Sequence, residues 1–99
     1  MTTIRINLTT LQAQACQEAA ARRAEDTSTS EQYRAHWRGL SFTAGHQTID
    51  ATDADHLAAD LSYRCTLLRG GPEFLPRIAS LRAVVRKLRL ELAVLELQS

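Results

Sequence analysis

"EQYRAHWRGLSFTAGHQTIDA", Glu31 to Ala51, decides the fold because it fits two periods at once. Tyr33, Trp37 and Leu40 recur as on a helix, while Tyr33, Ala35 and Trp37 alternate with Arg34, His36 and Arg38 as on a strand. The strand period is favoured here. Aromatic and β-branched residues flank "TAGH" (Thr43 to His46), where Gly45 can supply the positive φ of a tight turn. A turn centred on Ala44–Gly45 pairs Leu40 with Ile49 on one face, and Gly39 marks a bulge. The expectation is a β-hairpin, with a helix as the competing reading over residues 31–43.

Upstream, "IRINL" (Ile4 to Leu8) is a short extended start, available as a third strand. Thr9 or Thr10, both good N-cap types, opens an Ala-rich helix, "TLQAQACQEAAARRAED". Its apolar face (Leu11, Ala15, Ala19, Ala20) is shallow, so its helicity rests on propensity more than on a stripe. "TSTS" (Thr27 to Ser30) ends it and reads as a connector.

Downstream, a second helix is expected from about Asp53 to Arg69. Leu57, Leu61, Cys65 and Leu68 form its buried stripe; Gly70–Gly71 stops it and Pro72 bars its resumption. A long helix follows from Pro76, a favoured first-turn residue. Ile78, Leu81, Val85, Leu88, Leu92 and Leu95 occupy a/d positions of a heptad pattern, and Leu90, Val94 and Leu97 lie off that seam. A helix with two apolar faces packs its own domain with one and something else with the other. The seam is therefore a candidate oligomerisation surface for a homodimer. A parallel pair sets Arg77 against Arg82 and Glu91 against Glu96, so the arrangement expected is antiparallel.

These elements amount to a small α+β domain spanning 1–99. A helix–hairpin–helix core covers 1–71, and a Leu-rich C-terminal helix covers 76–98. A domain of this length buries only about 60–65% of its unfolded surface, so a partner would add usefully to its stability. With 44% apolar and 23% charged residues the composition is that of a soluble fold rather than a disordered chain. The start "MTTIRINLTT" lacks an apolar core of signal-peptide length, and no apolar run is long enough to span a bilayer. The expected location is the cytoplasm, of a bacterial host on the resemblance described below. Cys16 and Cys65 read as small core residues rather than a disulfide.

Net charge is +1 but uneven. From Gln47 to Tyr63 there are four acids (Asp50, Asp53, Asp55, Asp60) and no Lys or Arg; from Arg64 to Leu90 there are seven basic residues and one acid. On a helix Asp53, His56 and Asp60 share a face, which could hold a metal or orient a general base. His56 is the one nitrogen ligand nearby, however. "TDAD" (Thr52 to Asp55) has the form of a capping box, and first-turn carboxylates suit the helix dipole, so helix initiation is the stronger reading. His36, His46 and His56 stand ten apart, which is not zinc-ligand spacing. No catalytic, metal or cofactor motif is complete, and an enzyme is the least favoured class. Arg82, Arg86, Lys87 and Arg89 form a basic cluster that could contact phosphates or an acidic partner.

Two resemblances bear on function. The expected order helix, hairpin, helix over Leu11 to Leu68 is similar to the gpW-like head–tail joining proteins of phages, whose basic tail is here replaced by a Leu-rich helix. "QACQEAA" (Gln14 to Ala20) and "DATDADHL" (Asp50 to Leu57) resemble segments of a small acidic phage anti-CRISPR protein acting on type I systems. That resemblance implies a non-enzymatic inhibitor that binds a Cas surveillance complex and blocks DNA engagement. It also implies that Asp50, Asp53, Asp55 and Asp60 contact a basic surface of the partner. A phage assembly protein and a small nucleic-acid-binding adaptor are the alternatives.

Overall fold

The structure, a computed structural model, describes residues 2–68 and 72–98. Its elements are β1 (Thr3–Leu8), α1 (Thr10–Glu25), α2 (Glu31–Arg38), β2 (Gly45–Asp50) and α3 (Ala51–Leu67), then a 3-10 turn (Pro72–Phe74) and α4 (Leu75–Gln98). The fold is α+β: four helices with a two-stranded antiparallel sheet and a long C-terminal helix.

The stretch that decided the fold resolves into both of its readings, one after the other. Its first half is α2 rather than a strand, which corrects the expected β-hairpin. Ser30 caps α2 by accepting from Tyr33 N at 3.2 Å, and Glu31 ties Arg34 and Arg38 at 2.8 and 3.1 Å. Tyr33 and Trp37, four apart, turn inward, while Ala35, the residue that made the pattern alternate, is exposed. Eight residues are too few for a helix stable in isolation, so α2 depends on burying Trp37, which is 1% exposed. Gly39 is the C-cap of α2, donating to Ala35 O and His36 O, not a bulge.

Gly45 does take the positive φ expected of it, at 99°, but it opens β2 instead of centring a hairpin turn. β2 pairs with β1 in the register Ile4↔Ile49, Ile6↔Gln47 and Leu8↔Gly45. Ile49 thus meets Ile4, not Leu40. "IRINL" is one of only two strands found among the described residues, and the helix–hairpin–helix order behind the likeness to head–tail joining proteins does not form. The physical reason is alternation: Ile4, Ile6 and Leu8 are buried while Thr3, Arg5 and Asn7 face out, so β1 presents a whole apolar face to cover.

The helices close over that face. α1 is capped at Thr9 with a complete capping box, Gln12 N donating to Thr9 Oγ1 and Thr9 N to Gln12 Oε1. Its Ala13, Cys16, Ala19 and Ala20 are buried, so small side chains let it lie close to its neighbours; Leu11, expected on the apolar face, is 68% exposed. α3 buries Leu57, Leu61 and Cys65 as expected, with Leu68 packed at the edge of the core, and packs most extensively against α4. α3 ends at Leu67 with Leu68 as its C-cap, two residues short of the expected Arg69, and the expected stop at Gly70–Gly71 lies outside the described residues. Pro76 falls in the first turn of α4. Both thiols are free and buried, and burial pushes that of Cys16 up to about 12, so it is inert at neutral pH.

Candidate interaction surface

Residues 49–61 carried the acidic expectation, and most of those acids are committed inside the fold. The strand runs straight into the helix. Asp50 is still in register with Thr3, Ala51 N donates to Thr2 O at 2.9 Å, and α3 begins. Asp50 is accordingly the N-cap, its carboxylate accepting from Thr52 N at 2.9 Å, which corrects the Thr52/Asp55 capping box. Asp53, 7% exposed, accepts from His36 Nε2 through both oxygens, at 2.8 and 2.9 Å. Asp60 lies 3.7 Å from Arg22 and 3.9 Å from Arg23. Asp55 alone of the four is exposed. The expected acidic contact surface is therefore reduced to one free-standing residue and a helix cap.

These bonds explain what the acidic segment does. Arg23 of α1 donates to Tyr33 Oη of α2 and, at 3.1 Å, to the His56 carbonyl of α3, and its guanidinium lies 5.1 Å from the Trp37 ring centre. His36–Asp53 joins α2 to α3 a second time. Burial, with Arg64 close by, lowers the pKa of Arg22, and Asp60 opposes that shift. The junction of three helices is thus locked by buried or half-buried charge. Nothing in it is arranged as a nucleophile, base and oxyanion donor. Asp53, His56 and Asp60 do not converge: Asp53 binds His36, and Asp60 faces α1. Among the described residues no group of three His, Cys, Asp or Glu side chains could hold a metal ion.

The heptad seam of α4 is likewise turned inward. Ile78, Leu81 and Leu88 are 8, 2 and 0% exposed, and Val85, Leu92 and Leu95 pack at the margin of the same core. Val84, which the heptad pattern left out, is fully buried. A residue already covered by α1 and α3 cannot form an interface, so the assignment of this seam to oligomerisation is corrected. A straight helix drifts off a strict heptad, and the wider stripe 78, 81, 84/85, 88 is that of a globular core helix.

What α4 leaves outside is more informative. Arg82, Arg86 and Arg89 are exposed on one face. Lys87, expected in the same basic face, turns back to donate to Asn7 O and Gln12 Oε1, both at 2.7 Å, pinning β1 and α1 to α4. One turn on, the exposed face becomes apolar: Leu90, Val94 and Leu97 are 63, 39 and 87% exposed, with Ala93 between them. The outer face of α4 is thus bipartite, an arginine ridge running into a leucine-valine stripe. Two concavities flank it. One of about 310 Å³ includes Ser62, Thr66, Arg82 and Arg86, and one of about 510 Å³ includes Arg5, His46 and Leu90.

The off-seam leucines were visible in the sequence, and their spacing of four and three from Leu90 was the signal for this surface. Comparison with known protein families, with functionally characterised proteins and with solved structures finds no match to this chain. Among the described residues no helix is long and apolar enough to cross a membrane.

Proposed function

We propose that this chain acts by binding another macromolecule through the outer face of α4, without catalysis. The observation that carries this reading is the exposed stripe Leu90, Val94, Leu97, set beside Arg82, Arg86 and Arg89. Leucines at such exposure on an otherwise well-packed helix are the mark of a surface kept for a partner. The arginines add a requirement that the partner be acidic next to an apolar patch. Self-pairing of α4, expected from the sequence, draws on this same face once the heptad seam is assigned to the core.

The narrower proposal is an inhibitor of a type I CRISPR surveillance complex, supported by the local likeness of Gln14–Ala20 and Asp50–Leu57 to a phage anti-CRISPR protein. Since three of the four aspartates serve the fold, the contact residues proposed are those of α4, with Asp55 the one acid left to join them. The test is plasmid interference in a bacterium carrying a type I system. The chain should relieve interference, and a variant with Arg82, Arg86 and Arg89 all changed to Glu should not. Undiminished interference with the unaltered chain removes the inhibitor reading. An inhibitor as potent with three Glu as with three Arg removes α4 as the surface.

A second reading is favoured by one observation: the three exposed arginines lie in a row, as phosphate contacts on a helix do. Retention of duplex DNA that falls steeply with salt, and is abolished by the same triple change, would select the nucleic-acid adaptor instead.

A further inference from the structure

We propose that the cavity between α3 and α4 is a binding site for a phosphate monoester. It shares two arginines with the outer face of α4, so it rests on the reading of that face as a binding surface and names the acidic group that a partner presents there. Most arginines of the other elements are committed within the chain. Arg22 faces Asp60, Arg34 and Arg38 face Glu31, Arg77 faces Glu18, and Arg23 donates to Tyr33 Oη and His56 O. Arg82 and Arg86 have no such partner among the described residues. Both are exposed, and both line the cavity of about 310 Å³ whose other walls are Ser62, Thr66, Val85 and the edge of Cys65. No carboxylate of the described residues lines it; Glu91, the next acid along α4, lines the other cavity beside Lys87. Like charges four apart on a helix repel, so an anion seated between them relieves a cost that the fold carries.

The donors select the anion. Arg82 and Arg86, one turn apart on α4, each offer a planar fork, and Ser62 and Thr66, one turn apart on α3, each offer a hydroxyl. Two forks and two hydroxyls supply about six hydrogen bonds. A carboxylate or a phosphodiester has two charged oxygens and about four acceptor sites, whereas a phosphate monoester has three strongly accepting oxygens and about six. The monoester also carries roughly two negative charges at neutral pH, against two guanidiniums. Thr66 Oγ1 donates to Ser62 O at 3.4 Å, a long bond that the hydroxyl exchanges for the ligand by rotating. Cys65 supplies no chemistry, since its thiol is directed at Ile78 O, 4.0 Å away. The site therefore binds the phosphate and does not transfer it. Arg89 lies outside the cavity.

Titration with inorganic phosphate at fixed ionic strength, read by NMR of the arginine Nε–Hε groups, tests the site. Saturable shifts are expected at Arg82 and Arg86, with a dissociation constant on the order of 1 mM because both forks are exposed to solvent. Phenyl phosphate, a monoester, should bind at least as tightly, and dimethyl phosphate, a diester, about fivefold or more weakly. Arg82→Gln and Arg86→Gln should each weaken phosphate about tenfold, and Ser62→Ala with Thr66→Ala about threefold or more, while Arg89→Gln stays within about twofold. All five side chains are exposed, so the circular dichroism spectrum should not change. The absence of saturable shifts by about 20 mM phosphate overturns the proposal, as does binding that Arg86→Gln leaves intact. A diester that binds as well as the monoester overturns the monoester assignment and selects a nucleic-acid backbone. Loss of phosphate binding while relief of interference still depends on the arginines leaves the face of α4 standing and removes this site. Phosphate binding with no arginine-dependent partner leaves a free phosphate ester as the ligand and removes the macromolecular one.

Discussion

Leu88 and Leu97 sit on the same helix, nine residues apart, in a run that is rich in leucine from end to end. One is 0% exposed and the other 87%. The first half of α4 is roofed by α3 and α1, while on the outer face of its last turns Leu90, Val94 and Leu97 are exposed. The acidic segment shows the same division in charge: Asp53 is sealed against His36, and Asp55, two residues on, stands in solvent. Residues of one type, close in sequence, thus divide into those that build the fold and those left for something else. Periodicity reveals that a face exists; it does not reveal what covers it.

The sharpest way to break this comparison is to truncate both leucines. Leu88→Ala should cost about 2–5 kcal/mol, since it removes a fully buried side chain and leaves a cavity, whereas Leu97→Ala should change stability by less than about 0.5 kcal/mol. Urea unfolding at low micromolar concentration measures both, where self-association does not contribute. Equal losses would mean that the end of α4 is packed as tightly as its start. A smaller contrast is expected between the aspartates. Asp53→Ala should cost about 1–2 kcal/mol, through the lost bond to His36 and the lost charge in the first turn of α3. Asp55→Ala should stay within about 0.5 kcal/mol. If Asp55 proves as costly as Asp53, the division of the acidic segment is wrong.

The smallest effect belongs to the surface near α2. Hydrogen bonds from Arg34 and Arg38 lower the Glu31 pKa, and hydrogen bonds from Ser28 lower that of Asp26. The unfolded chain therefore binds more protons than the folded one as pH drops through the carboxylate range. The contribution is whole above the ordinary carboxylate values and fades as pH falls through the lowered ones. Acid titration of unfolding should show a slightly shallower acid limb for Glu31→Gln than for the unaltered chain, and the Leu88–Leu97 contrast should not move with pH.

Much of the architecture could be read from local signals. The capping threonine before α1, the stripe of α3, the long last helix and the positive φ of Gly45 each rest on chemistry within a few residues. The segment 31–43 could not be settled that way, because Tyr33, Ala35 and Trp37 satisfy a two-residue period while Tyr33, Trp37 and Leu40 satisfy a helical one. The local evidence for the helix was present in Ser30 before Glu31, and in Glu31 paired with Arg34 and Arg38. It carried less weight than an aromatic alternation. The site was less legible. Thr52–Asp55 and Asp50–Asp53 have the same capping spacing, and the choice between them fell to the strand register that holds Asp50 opposite Thr3.

The sequence by itself determined that this chain has an Ala-rich helix, a capped helix after an extended segment, and a final helix with more apolar residues than one face can hold. Those follow from spacing, propensity and capping, all of them local. Only the tertiary structure decided that β2 pairs with β1, that Asp53 and Asp60 are held by the neighbouring helices, and that the heptad seam is core while Leu90, Val94 and Leu97 are surface. Those outcomes depend on contacts between residues up to 80 positions apart, such as Lys87 with Asn7. Local spacing says which side chains point the same way along a helix, but only packing says whether they point at a neighbour or at water.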